Sequence, residues 1–325
     1  MTDSLKLKDR TVLAENADLK CSEYFGVQFA QGQYLMHWEA PCLTEITEKL
    51  FAKKCFISVE YAGLGNALGR EEVSRFFRKM DELRKKNGGL LRMDLPHTQK
   101  ITVDEDGAYA TGEWETLTLC VMGAAFGNSL TQAPLDYAIG RFKNRFVLED
   151  GVWKIQSVRW APVIRFGHWK CKDATKVYGR PFPKPFETLR PVDDHRSSER
   201  ARTICSIRNQ VMGFFHDFNH DGLSSIDDRF SQDGAREAWR MLHTPFCPGG
   251  YHGTVLATSP IIRLEGERAL FYVNIGRILP VNENHIAHSR GRVCGELHKT
   301  GHLWNFHKFH WYRYATMEPW EVNGE

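Results

Sequence analysis

Twice along this chain two strand patterns meet at a two-residue turn ending in glycine, and two tryptophans lie seven residues apart in each copy. Residues 145–160 read RFVLEDGVWKIQSVRW, with the turn at Asp150-Gly151 and the pair Trp153 and Trp160. Residues 297–311 read LHKTGHLWNFHKFHW, with the turn at Thr300-Gly301 and the pair Trp304 and Trp311. A two-residue turn between alternating runs is a strong hairpin signal, because it matches the twist of the paired strands. Upstream, ITVDEDGAYATGEWETLTL (101–119) parallels IIRLEGERALFYVNIGRI (261–278), again strand, acidic turn and strand. Each set follows a helical pattern, VLAENADLKCSEYFGVQF in the first copy and ERARTICSIRNQVMGFFHDF in the second. Helices followed by a meander of long strands, made twice, predict an α+β fold with a duplicated domain.

The segment between the copies supports that division. From Val177 to Arg200 the chain carries four prolines and clustered charges without periodicity, so it can neither pair in a sheet nor run as one helix. The expected organisation is a domain over 1–176, a proline-rich linker over 177–200 and a second domain over 201–325. The first copy holds extra material: helical patterns over Leu35–Leu50 and Glu71–Lys86 flank a short strand at Cys55–Tyr61. Glycines 63, 65 and 69 give G-x-G-x-x-x-G, not the dinucleotide fingerprint, and are read as a plain connector into the helix near Glu71. The 43 basic and 40 acidic residues balance too closely for a chain built to coat nucleic acid. The polar start MTDSLKLKDR and the absence of a long apolar window predict a cytoplasmic protein away from membranes. The eight cysteines are scattered with no CxxC, so free thiols are expected.

Three stretches, VEYAGLGNALGREEVSRFF, PHTQKITVDEDGAYATGEWE and EDGVWKIQSVRW, together resemble the SnoaL-like family, which has the cone-shaped fold of nuclear transport factor 2. The first copy is most similar to its dehydratase branch, the bile-acid 7α-dehydratase and scytalone dehydratase type. The resemblance covers residues 15–170 well and 200–315 weakly, the latter through FFHDFNHDGLSSIDDRF and the final tryptophan pair. It implies two tandem cone-shaped domains, each a curved, mostly antiparallel sheet wrapped by N-terminal helices, packed as an intramolecular pseudo-dimer; a further homo-oligomer is left open. It also implies a lyase (a dehydratase) or an isomerase, free of any cofactor, that moves protons on a cyclic, hydrophobic, oxygenated small molecule. The alternative is a non-catalytic ligand-binding or assembly protein that keeps the cone, since one cone hosts many functions.

Acid–base chemistry needs ionisable groups from different elements converging in a dry cavity that tunes their pKa values. By the resemblance, Tyr24 and Tyr61 hold a substrate oxygen. Asp94 stands where the family carries a histidine base, and His97 matches the histidine often beside it. A carboxylate can replace the imidazole if burial raises its pKa. The family's next acid has no clear match, with Glu115 or Asp136 as substitutes. In the second copy His216 falls where Tyr24 does and Asp221 where the family carries a helix-end aspartate, while Val255 occupies the base position. The same stretch reads as a calcium loop over 217–228, with Asp217, Asn219, Asp221, Gly222, Ser225 and Asp228 at positions 1, 3, 5, 6, 9 and 12. Ser224 at position 8 and the short Asp228 depart from that pattern, and a polar helix-to-helix turn is the other reading. The late strands are rich in histidine (His285, His288, His298, His302, His307 and His310); His298 and His302 fall across a turn and need not face one another, and His307 and His310, three apart, fall on opposite strand faces, which argues against both serving one metal.

Overall fold

The structure, a computed structural model, describes residues 23–38, 43–86, 92–121, 135–174, 198–220, 229–230, 254–258, 260–282 and 285–319. Helix α1 (23–38) buries Val27, Ala30, Tyr34 and Trp38, an i, i+3, i+4 spacing that lays one apolar stripe against the first core. Its opposite side meets the second half: Phe25 packs against the second core, and a Cβ on Gly32 would stand 2.5 Å from Ile261 Cδ1. Only a residue without a side chain lets the two approach so closely. Of the helix expected over Leu35–Leu50, residues 35–38 are the end of α1 and Leu43–Glu45 a 3-10 turn running into a short helix α2 (Ile46–Leu50), while 39–42 lie outside the described residues.

The glycine-rich stretch is a hairpin rather than a connector. Strands β1 (Ser58–Tyr61) and β2 (Gly65–Leu68) pair antiparallel, with Tyr61 opposite Gly65, and Gly63 turns at a φ of 85° that side chains disfavour. Helix α3 (Gly69–Lys86) follows, burying Val73, Phe76, Phe77 and Met80 while Arg75, Arg78 and Lys79 face solvent. Arg84 departs from that basic face: it is buried, its Nη2 donating to Asp81 Oδ1 at 2.6 Å.

The remaining elements are long strands: β3 (Arg92–Val103), β4 (Tyr109–Val121), β5 (Leu135–Glu149) and β6 (Val152–Ala174) in the first half. Helix α4 (Ser198–His220) opens the second half, starting within the last residues of the expected linker. After it come β7 (Thr254–Ala257), β8 (Ile261–Glu265), β9 (Arg268–Asn282), β10 (His285–Thr300) and β11 (Leu303–Pro319). The two meanders join in one sheet of order β3-β4-β5-β6-β11-β10-β9-β7, with β8 also on β9 and β1 parallel to β6. The join is short, from Ala174 opposite Ala315 to Trp169 opposite Pro319. Both predicted turns are present, Asp150 and Gly151 at positive φ (50° and 76°) and Gly301 at 63°.

The two halves share several local features. In the first, β3 loses register with β4 between Pro96 and Gln99; in the second, β7 and β8 are two pieces pairing along β9. Phe51 makes a parallel bridge to Ile155, two residues after buried Trp153, and Phe230 makes one to Phe306, two residues after buried Trp304. Each half has its own apolar cluster, one around Trp38, Phe77 and Phe142 and one around Phe214, Phe271 and Phe306. In the second, a Cβ on Gly295 would stand 2.4 Å from the Lys308 carbonyl and 2.3 Å from the Phe271 ring. Since backbone on the partner strand must move, Gly295→Ala is expected to cost about 1–3 kcal/mol, read as a lowered denaturation midpoint at unchanged slope. Among the described residues no helix is long and apolar enough to cross a membrane.

Candidate active site

Alternation along β3 puts Arg92 and Asp94 on the inner face, the face covered by α1 and α3. Arg92 grips the carboxylate with two donors, Nε to Oδ2 at 2.7 Å and Nη2 to Oδ1 at 2.8 Å, and each side chain is 1% exposed. The guanidinium carbon lies 4.0 Å from the Trp160 ring centre and 4.8 Å from that of Tyr61, so aromatic faces solvate the cation where water is excluded. Thr118, directly opposite Asp94 on β4, donates to Oδ1 at 2.6 Å. Its proton being used there, Thr118 accepts from Thr116 at 3.1 Å, and Thr116 accepts from Trp160 Nε1 at 3.2 Å. Gly140 makes this chain possible, since a Cβ there would lie 2.4 Å from Trp160 Nε1.

Above the ion pair two phenols share a hydrogen bond, Tyr34 Oη to Tyr61 Oη at 2.8 Å. Both are fully buried, and burial pushes both pKa values up, so they stay protonated donors at any physiological pH. Trp38 meets Tyr61 edge-on at 5.3 Å and Phe76 stacks on it at 6.2 Å. The result is a carboxylate, a guanidinium and two phenols in one dry aromatic enclosure.

A second polar group lies farther along the same face. Tyr24 Oη accepts from Gln99 Nε2 at 2.6 Å, and Gln99 Oε1 accepts from Gln28 at 3.2 Å and from Trp114 Nε1 at 3.3 Å. Burial raises the Tyr24 pKa against the opposing pull of Arg208 and the Gln99 bond. Asn144 Nδ2 donates to Gln31 Oε1 at 2.7 Å. A partly open cavity of about 50 Å³ lies here, bounded by Gln31, Gln99, Trp114 and Pro96, the last two residues along the strand from Asp94.

Tyr61 and Asp94 are thus brought together, both touching Arg92, whereas Tyr24 sits at the other end of the face beside Gln99. His97 is exposed, in the stretch where β3 slips register, and does not join Asp94. Glu115 is exposed and paired with Arg141 at 3.2 Å; the side chain of Asp136 lies outside the described residues. His216 is 71% exposed, 3.4 Å from Asp217, on the side of α4 away from the buried Phe214, Phe215 and Phe218. Asp217 pairs with Arg229, and Asp221 with most of the 217–228 loop lies outside the described residues. Arg92, Tyr34 and Thr118 were missed by the sequence reading. The available signal was the Arg92-x-Asp94 spacing, which places both groups on one strand face. In the second half Val255 lies opposite buried Arg277 on β9. His298 stacks on His307 at 4.3 Å and lies 2.5 Å from Glu296, which also holds Arg268 and Lys308, making an ion-pair network. Burial alone would raise the Glu296 pKa, but these donors outweigh it and hold the carboxyl at about 2.

His37, buried on α1, donates from Nδ1 to the Gln33 carbonyl at 2.7 Å, and burial pushes its pKa down to about 4. The unfolded chain, with an ordinary value near 6.5, binds the proton first, so stability falls as pH drops from about 6.5 to about 4 and levels off below. The loss is expected to reach about 3 kcal/mol, and His37→Gln should remove that slope from unfolding free energies measured between those pH values.

Residues 41–159 match the family model of the SnoaL-like domain. The matched stretch contains Tyr61, Arg92, Asp94 and Thr118; Trp160 follows its last residue, and Tyr34 lies on the helix before it. Among solved structures the chain is similar to a candidate scytalone dehydratase from Novosphingobium aromaticivorans, at 16% identity over 54% of this chain and 99% of that one, with a TM-score of 0.37. A candidate dehydratase of the NTF2-like family from Streptomyces avermitilis is 16% identical over 42% of this chain and 94% of that one, at 0.34. A type 2 hexachlorocyclohexane dehydrochlorinase (LinA) is 13% identical over 49% and 92%, at 0.35. No curated protein sequence matches the chain.

Proposed function

We propose that the chain is a tandem pair of cone domains whose SnoaL-like half is a lyase or isomerase, shifting protons next to a carbonyl on a cyclic, largely apolar substrate without a cofactor. The observation that carries this reading is the burial of the Arg92–Asp94 pair against the Tyr34–Tyr61 pair, with the Arg92 guanidinium over the Tyr61 ring. Taking the negative charge away from a buried guanidinium costs free energy. That cost vanishes if the negative charge only changes place. As Asp94 takes the proton, the electrons of the broken C–H bond move into a carbon–carbon double bond and charge the carbonyl oxygen. Tyr61 and Arg92 then stabilise that oxygen in place of the carboxylate. Return of the proton to a departing β-hydroxyl releases water; return to a different carbon completes an isomerisation. The repeated helix-and-meander, with its matching Phe51 and Phe230 bridges, supports the tandem arrangement.

The packing of the inner face favours a second reading. Trp38, Phe76, Phe142 and Trp160 pack on every side of Tyr61, and a cavity of about 50 Å³ is far below the ~300 Å³ typical of a ligand site. On that reading the cone is a binding or assembly module that has lost turnover. Purified protein offered a panel of cyclic β-hydroxyketones, followed by absorbance of the conjugated enone, separates the two. Turnover abolished by Asp94→Asn supports the enzyme; binding of panel members without turnover supports the module.

A further inference from the structure

Alternation in the second half of the sheet gives β9 and β10 two faces. Val273, Ile275, Val293 and Leu297 enter the second core, while Asn274 and Arg292, directly opposite one another, point the other way. That face is closed to water, since Arg292 is fully buried on it, its charge near enough to oppose protonation of His37 on α1. Arg292 Nε, which can only donate, reaches Asn274 Oδ1 at 2.9 Å, so the Asn274 amide must offer its nitrogen elsewhere. Nδ2 donates across the boundary between the halves, to the backbone carbonyl of Asp94 at 3.4 Å. Strand β3 needs a contact at this point. Among the described strands it pairs with β4 alone, so one row of its backbone groups is turned away from the sheet. Two residues on, Pro96 cannot donate, and the ladder with β4 slips before Gln99. Pro96 itself shares a cavity wall with Ile261 and Ile262 of β8.

We propose that Asn274, oriented by Arg292, is a positioning residue for Asp94, through which the second half fixes the outer edge of β3 at the residue that carries the carboxylate. The proposal rests on the reading of Asp94 as the proton acceptor. That carboxylate takes two hydrogen bonds from Arg92 and one from Thr118, at 2.7, 2.8 and 2.6 Å, and all three lengthen if the strand shifts. A reacting group misplaced by ~1 Å can lose about 10²-fold in rate. Asn274 holds the backbone and not the carboxylate, so its loss changes where the proton acceptor stands and leaves the substrate's own contacts in place. The second half is then the support of the first half's site rather than a second reaction centre.

Two variants of the full chain test this. Asn274→Asp keeps the acceptor for Arg292 and turns an oxygen toward the Asp94 carbonyl; Asn274→Leu removes donor and acceptor together and serves if the first folds poorly. Amide hydrogen exchange read by mass spectrometry should show the β3 peptide exchanging about three- to ten-fold faster, the worth of one hydrogen bond, with β5 and β6 as in the wild type. In the same variants, deuterium uptake by saturating cyclohexanone should slow by about ten-fold or more at unchanged KM. A purely structural loss would instead quicken exchange throughout the chain; that result, or β3 exchange at the wild-type rate, overturns the proposal. So does faster β3 exchange with turnover unaltered. A wild type inert toward cyclohexanone counts against the catalytic reading, and β3 exchange alone then decides for or against the brace.

Discussion

Replacing Asp94 with alanine is expected to cost the fold about 3–5 kcal/mol, because it leaves Arg92, 1% exposed, without its counter-charge. Thr118 loses its acceptor in the same step, so the hydroxyl chain from Trp160 through Thr116 ends on nothing. The converse is equally specific. Removing both charges, as Arg92→Met with Asp94→Leu, should recover most of that loss, because desolvating a buried ion pair consumes much of what its attraction returns. Urea unfolding of the wild type, the single variant and the double variant reads the comparison directly. The double variant, stable but without its carboxylate, should be inactive. A stability defect that persists in the double variant would mean that packing rather than charge is the cause.

The second large effect belongs to the other core. Phe306 is fully buried, stacked on Phe230 at 4.8 Å and edge-on to Phe214 and Phe271 at 5.6 and 5.5 Å. Phe306→Ala opens a cavity that these rigid rings cannot collapse into, and should cost about 3–5 kcal/mol. Where the loss appears tests how independent the halves are. They share a short β6–β11 join and the contacts of α1 with β8, but keep separate apolar clusters. Two tandem domains predict a calorimetric trace in which the transition of the second half moves down ahead of the first. A single transition displaced as a whole would make the sheet one cooperative unit.

Much of this architecture was legible because it is local. Asp150-Gly151 and Thr300-Gly301 dictate turns whatever surrounds them, and the spacing Val73, Phe76, Phe77, Met80 makes an amphipathic helix from α3 residues alone. The β1–β2 hairpin was not legible, because its strands are four residues each and β1 is held by a parallel ladder to β6, about a hundred residues away. The helix expected over Leu35–Leu50 is helical at 35–38 and 46–50 but tightens to a 3-10 turn at Leu43–Glu45, since apolar periodicity fixes a buried face but not how tightly each turn is wound. In the site, Asp94 and Tyr61 were found by resemblance, yet their partners depend on the third dimension. Arg92 gains meaning only when Trp160 and Tyr61 close over it, and Tyr34 only when α1 crosses the inner face. His97 lies close to Asp94 in sequence but not in the site, since the slip between Pro96 and Gln99 separates them. His216 is likewise close to the second core in sequence and faces solvent in the fold.

Removal of a proton beside a carbonyl leaves a trace even when no product forms. A cyclic ketone without a leaving group, incubated with the protein in D₂O, should take up deuterium at the carbon next to the carbonyl, followed by proton NMR. The wild type should catalyse this exchange, and Asp94→Asn should bring it to the buffer rate, a fall of about 10²–10⁴-fold for loss of a general base. Exchange at the wild-type rate in Asp94→Asn would contradict the assignment of the proton to that buried carboxylate.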